Sequence, residues 1–263
     1  MDIIKSPNSG QNKYDEYEAL LLERDQLSKE AGQIWTAYVQ TFGQLMTDVY
    51  EEKIECIKAR KTIAFYQRAL NHGGVVDQEA LESWLTKEMS AYYANLKKLQ
   101  EDYGKCKDAP SSTPYEVQRS KTLYRRLAKR IHPDIFPETD RQENLKELWQ
   151  RILTAYAHND VRALSELEVL VRKVLKDLGS PGINIDIPDI EDRIDSLKAE
   201  IDDIIHSEPY TYGSLLEDEE AVEKKKTELQ KELEDYRKYH AELKDAIMQM
   251  VTKGGIEIKW RMN

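Results

Sequence analysis

Along most of the chain apolar residues recur at steps of three and four, the spacing that gathers them on one face of a helix. Such a pattern runs from about Tyr14 to about Leu70. Parts of it keep coiled-coil spacing, as in Leu27, Ala31, Ile34 and Tyr38 and then Leu45, Val49 and Cys56. Gly32 and Gly43 count against one unbroken rod, since each costs about 1 kcal/mol relative to alanine inside a helix. Asn71-His72-Gly73-Gly74 reads as a stop and turn. A second helix is expected from about Asp77 to Tyr103, with Leu81, Leu85, Tyr92, Leu96 and Leu99 on one side. The short turn makes residues 13–106 an antiparallel hairpin, after a polar stretch, 1–12, expected to be flexible.

Lys107 to Pro114 is a linker with a helix start at its end. Thr113 suits the N-cap, Pro114 the first helical position, and Glu116 completes a capping box. The helix should run to about Ile131, where His132-Pro133-Asp134 and then Pro137 interrupt it. Asp140 is the expected cap of the next helix, which carries Leu145, Leu148, Trp149, Ile152 and Tyr156. Asn159-Asp160 caps another, with Val161, Leu164, Leu167, Val171, Val174 and Leu178 before a stop at Gly179-Ser180-Pro181-Gly182. Residues 113–178 therefore read as one compact unit.

The C-terminal third has the cleanest periodicity. Ile187, Ile190, Ile194, Leu197, Ile201 and Ile204 keep a/d spacing. After the turn-like 207–213 it resumes at Val222, Lys226, Leu229, Leu233, Tyr236, His240, Leu243, Ile247 and Met250. The expectation is an antiparallel coiled-coil hairpin over 186–251 and a tail over 252–263, which alternates briefly and suits a short strand or a loose end. The fold class is all-α and elongated, two helical hairpins flanking the compact unit.

Composition agrees: 33% of the 263 residues are charged, 40% are hydrophobic, and Gly and Pro number 11 and 8. The net charge of -10 repels nucleic acid and anionic membrane. No apolar run reaches membrane-spanning length, and the first residues lack a signal-peptide pattern. A cytoplasmic protein is expected. Cys56 and Cys106 are too few for a disulfide framework or a cysteine metal site. No zinc spacing, phosphate loop or nucleophile elbow occurs, so no cofactor, metal or catalytic residue is expected. His72 suits a solvated turn, His158 a cation at a helix C-terminus, and His240 a polar residue that fixes coiled-coil register.

One stretch stands apart from this acidic background. Between Arg119 and Arg130 lie six basic residues and no acidic one. On a helical wheel Val117, Ser120, Leu123, Tyr124, Leu127 and Ile131 share one face. Arg119, Lys121, Arg125, Arg126, Lys129 and Arg130 cover the opposite one. A charge run alone usually means a solvated face. His132-Pro133-Asp134 directly after it changes the picture, because proline fixes the backbone at the helix exit and leaves an imidazole and a carboxylate on the turn.

With Tyr124, Leu127 and Ala128, the basic Arg125, Arg126, Lys129 and Arg130, then His132-Pro133-Asp134 and the later Ala155-Tyr156, the sequence resembles the J-domain of DnaJ-type co-chaperones. The likeness covers about 45 residues of 263. It implies docking on a DnaK-type heat-shock chaperone and stimulation of that partner's ATP hydrolysis. Lys121, Arg125, Arg126, Lys129 and Arg130 would then steer docking, and His132, Pro133 and Asp134 would make the activating contact. The usual first helix of the family is not recognisable just before Thr113. The helix around Tyr92, Tyr93, Leu96 and Leu99 is expected to take its packing place. The Gly/Phe-rich and zinc modules of full DnaJ proteins are absent, which leaves client or scaffold binding to the hairpins. Exposed stripes also allow two copies to pair as a homodimer. Two rival readings are a coiled-coil scaffold with a degenerate J-like unit and nucleic-acid binding through Lys121 to Arg130.

Overall fold

The computed structural model describes residues 7–178, 189–253 and 255–259. Their regular structure is nine helices and one pair of three-residue strands, so the chain is all-α as its periodicity predicts. No helix among the described residues is long and apolar enough to cross a membrane. The residues group into two compact units. One holds the described parts of Met1–Trp35 and Pro110–Gly213, the other those of Thr36–Ala109 and Ser214–Asn263.

Helix α1 (Pro7–Asn71) contributes to both units and is continuous through Gly32 and Gly43. Its start takes in Pro7 to Asn12, which the sequence assigned to a flexible end. Gly43 has a packing reason: a Cβ there would lie 2.7 Å from Cδ2 of Tyr103. The cost of glycine in a helix is offset by close approach of the next long helix.

That helix belongs to the second unit. After a turn in which Gly73 and Gly74 take positive φ (104° and 79°), strand β1 (Val75–Asp77) leads into α2 (Gln78–Cys106). Asp77 caps α2 by accepting from the amides of Glu79 and Ala80. Helix α9 (Glu219–Thr252) and strand β2 (Glu257–Lys259) complete the unit. The brief alternation in the tail is this strand, paired parallel with β1 so that Val76 faces Ile258 in register. Leu243 of α9 packs with Cys56 and Ala59 of α1, and His240 is bound to Glu52. The histidine on the stripe is thus a satisfied polar contact with α1.

The first unit contains α3 (Pro114–Ile131), α4 (Glu138–Arg141), α5 (Glu143–Ala157), α6 (Val161–Asp177) and α7 (Ile190–His206), beside the beginning of α1. Short α8 (Tyr212–Glu217) straddles the division. The start of α3 forms as its sequence dictates. The Glu116 amide donates to Thr113 Oγ1 at 3.2 Å, and the Thr113 amide to Glu116 Oε2 at 2.7 Å. Buried Leu123, Tyr124, Leu127 and Ile131 of α3 meet Trp149 and Ile152 of α5 and Leu164 and Val171 of α6.

Three expectations change. Asp140 lies inside α4 instead of capping α5, whose boundary residue is Gln142 with no side-chain cap. The proline-rich turn closes through backbone bonds to His132 O and leaves room for a helical turn before α5. The expected C-terminal hairpin is divided: Ile194 and Leu197 of α7 pack with Tyr17 and Leu21 in the first unit, while the buried face of α9 lies in the second. A stripe at a/d spacing states that a helix needs a partner and does not state which; α1, at 65 residues, has stripe enough for both. Finally, Leu22 of α1 enters the core around α3, whereas Tyr92, Tyr93, Leu96 and Leu99 belong to the other unit. The place given to the second hairpin helix is filled by the first. The stop at 179–182 and Ile187 lie outside the described residues.

Candidate partner-binding site

Helix α3 ends where Pro133 follows His132, and the turn is held at several points. The His132 amide closes the last helical turn on Ala128 O at 2.8 Å, and His132 O accepts from the amides of Ile135 and Phe136. Thr139 Oγ1 donates to Ile131 O at 2.9 Å. The Asp134 amide donates to Nδ1 of His132 at 3.1 Å, which leaves Nε2 to carry the ring proton. That nitrogen lies 3.4 Å from Oδ2 of Asp25 on α1. The ring also meets Trp149 edge-on at 4.8 Å. His132 is therefore buried, at 5% exposure, while the side chain of Asp134 is 43% exposed. Pro133 is half-buried. Of the three residues expected to contact a partner, the structure presents Asp134 and Pro133 and turns His132 inward.

Asp25 is the anchor of this arrangement. Its carboxylate also accepts from Tyr124 Oη at 2.6 Å and from Arg24 Nη2 at 2.7 Å. Burial pushes the Asp25 carboxyl up, but hydrogen bonds from His132 and Tyr124 and the Arg24 charge outweigh it. Its pKa lies below the usual carboxylate value. Burial and the neighbouring Asp25 charge push the Tyr124 hydroxyl in the opposite direction, so it stays a donor. Tyr124 stacks on Tyr156 with ring centroids 3.9 Å apart and planes 6° from parallel. The Ala-Tyr pair of α5 is thus built into the same wall as the basic helix.

The basic face is exposed at Arg119, Arg125, Arg126, Lys129 and Arg130 and half-buried at Lys121. Some of it is engaged: Lys129 is paired with Glu18, Arg126 Nη2 lies 3.4 Å from Glu168, and Arg125 Nη2 donates to Gln26 at 3.4 Å. Arg119, Lys121 and Arg130 have no ion-pair partner among the described residues. The cations closest to Asp134 in sequence thus include Arg130, available to an acidic surface.

Two site residues escape the sequence pattern. Tyr14, Tyr17, Leu21 and Asp25 follow steps of three and four, so a carboxylate on an apolar stripe was the readable sign. Lys29 gave no such sign. Its Nζ sits 3.7 Å from the Tyr156 ring centroid and donates to Ser120 Oγ at 3.2 Å and to Asn159 Oδ1. Burial, with Lys121 adding to it, pushes Lys29 down to about 8. Its amine is therefore half neutral near that pH, where exposed lysines with pKa values of about 10.4 stay charged. Labelling with an amine-acylating reagent, followed residue by residue by mass spectrometry, should give Lys29 a midpoint near pH 8. A midpoint with the exposed lysines would contradict the packing described.

No group of residues able to hold a metal ion occurs among the described residues. No protein-family model, curated protein or solved structure matches the chain.

Proposed function

We propose that the chain is a J-domain-type co-chaperone that docks on a DnaK-type heat-shock chaperone and stimulates its ATP hydrolysis. The observation that carries this reading is the order of surfaces on α3. An apolar face is buried against α5 and α6, a cationic face points outward, and the helix ends at a proline-fixed turn with Asp134 exposed. Exposed cations steer an encounter with an acidic partner, and contacts at the centre of an interface govern activation once the two have met. Arg119, Lys121 and Arg130, with the exposed parts of Arg125, Arg126 and Lys129, would guide docking, and Pro133 and Asp134 would make the activating contact. His132 would act from below, by holding the Asp134 amide. In this reading the protein works in the cytoplasm beside its chaperone and contributes no catalytic residue or cofactor. The remaining helices serve client or scaffold contacts or pairing with a second copy.

Reversing one unpaired cation tests the docking half of this reading. Arg130→Glu should weaken association with the chaperone by about tenfold at low salt, with a smaller difference as salt screens the charge. Surface plasmon resonance on the full chain measures this directly. Equal affinity at every salt concentration would remove the basic face from the interface.

The burial of His132 favours one other reading, a scaffold whose J-like unit engages no chaperone. An imidazole already held by Asp25 and Trp149 is not free to meet a partner. Under that reading neither Arg130 nor Asp134 affects ATP turnover. Nucleic-acid binding through the same cations would instead depend on Arg130 and be indifferent to Asp134.

A further inference from the structure

The second compact unit carries a groove that the chaperone reading leaves unused. It runs along α1 between α2 and α9 and encloses about 560 Å3. Cys56, Ile57 and Ala64 of α1 form its apolar floor, and Tyr92 of α2 and Tyr236 and Tyr239 of α9 stand beside it. The α1 residues from Lys53 to Ala64 recur at helical spacing and cover roughly 16 Å at 1.5 Å per residue, three turns of helix. Three helices therefore contribute to one trench, and a helix is the element that bundles most readily add to such a set.

Charge says what kind of fourth helix fits. Among the described residues, Lys53, Arg60 and Lys61 line the groove along α1 and no carboxylate does, while Glu228, Glu232 and Asp235 lie in the adjoining pocket that shares Tyr236 and Tyr239. Lys61 is engaged, with its Nζ 2.7 Å from Glu88. Lys53 and Arg60 are exposed and have no ion-pair partner among the described residues. They lie seven residues apart, on the same side of α1. Tyrosine is among the residues that most often anchor protein interfaces, and Tyr239 is 40% exposed at the edge of this one. A small ligand needs a pocket that covers most of its surface, and a trench with an exposed tyrosine edge does not provide that.

We propose that this groove docks an acidic amphipathic helix of a partner protein. The helix lays its apolar stripe between the tyrosines and its carboxylates against Lys53 and Arg60, in the helix-in-groove mode. The proposal rests on the second unit alone and not on the chaperone reading.

The probe is a fluorescein-labelled synthetic helix of about four turns, with leucine and phenylalanine on one face and glutamate beside them. Fluorescence anisotropy with the full chain should show saturable binding that weakens as salt rises. Lys53→Glu combined with Arg60→Glu should weaken it at least about tenfold, with helicity by circular dichroism unchanged because both side chains are exposed. Tyr239→Ser should weaken it without altering its salt dependence. A matched peptide with glutamine for glutamate should bind less tightly. Equal binding by the double variant, or by the glutamine peptide, would overturn the proposal. So would displacement of the probe by tripolyphosphate or a single-stranded oligonucleotide at equal charge, since the site would then read charge and not a helix.

Discussion

Asp25→Ala should destabilise the first compact unit by about 2–4 kcal/mol, far more than a surface carboxylate would. The side chain is 13% exposed and accepts from Tyr124 Oη and Arg24, with His132 Nε2 at 3.4 Å. Alanine leaves a buried phenol without its acceptor and an imidazole without its anchor, and an unpaired buried donor costs about 1–3 kcal/mol by itself. The pH dependence has a definite sign. A folded pKa below the unfolded one means that stabilisation is complete above the ordinary carboxylate value and is lost as pH falls through the folded value. The wild-type chain should therefore lose stability in acid below about pH 4, and Asp25→Asn should show a weaker dependence there. Hydrogen exchange at the amides of Leu123, Tyr124 and Leu127 reports on this unit alone. Protection there should fall in Asp25→Ala and remain within about 0.5 kcal/mol of wild type in the exposed control Asp177→Ala. Unchanged protection in the first variant would mean that the network closes the turn without stabilising it.

Helices α3 and α6 were legible from end to end because their signals are local, whereas α4 was not foreseen and α5 was read from its apolar stripe alone. A capping box, a proline-fixed exit and the Asp160 side chain on the Ala163 amide each act within a few residues. The apolar wheel of α3 is likewise the buried face, apart from Val117 at 37% exposure. Choice of partner helix is not local. Tyr17 and Leu21 satisfy the same spacing rule as Cys56 and Ala59, and only the fold assigns α7 to the first pair and α9 to the second. The pairing of β1 with β2 joins Val75 to Glu257 across most of the chain, and three-residue strands leave almost no periodicity to read.

The candidate site divides along the same line. Its cations and its turn lie within one short segment and were found from it. The groups that set its geometry, Asp25 and Lys29, come from α1, about a hundred residues earlier in the sequence. No local pattern ties them to the turn, so His132 was expected on the surface, whereas the structure buries it against a carboxylate. The inward turn of His132 concentrates the proposed contact on Asp134.

Asp134→Asn is accordingly the substitution with the largest expected effect on function. Asparagine has nearly the same shape and keeps the amide that donates to His132 Nδ1. The side chain is 43% exposed. Its carboxylate lies 3.8 Å from His132 Nδ1, and stability should stay within about 0.5 kcal/mol, so a loss of activity at matched stability reports on the charge at the turn. The direct measurement is ATP turnover by a DnaK-type chaperone from the same cell, alone, with the full chain, and with Asp134→Asn at matched helicity. Stimulation by the wild-type chain and a basal rate with the variant are expected from a docked, Asp134-dependent turn. Equal turnover with the two proteins would contradict the co-chaperone reading.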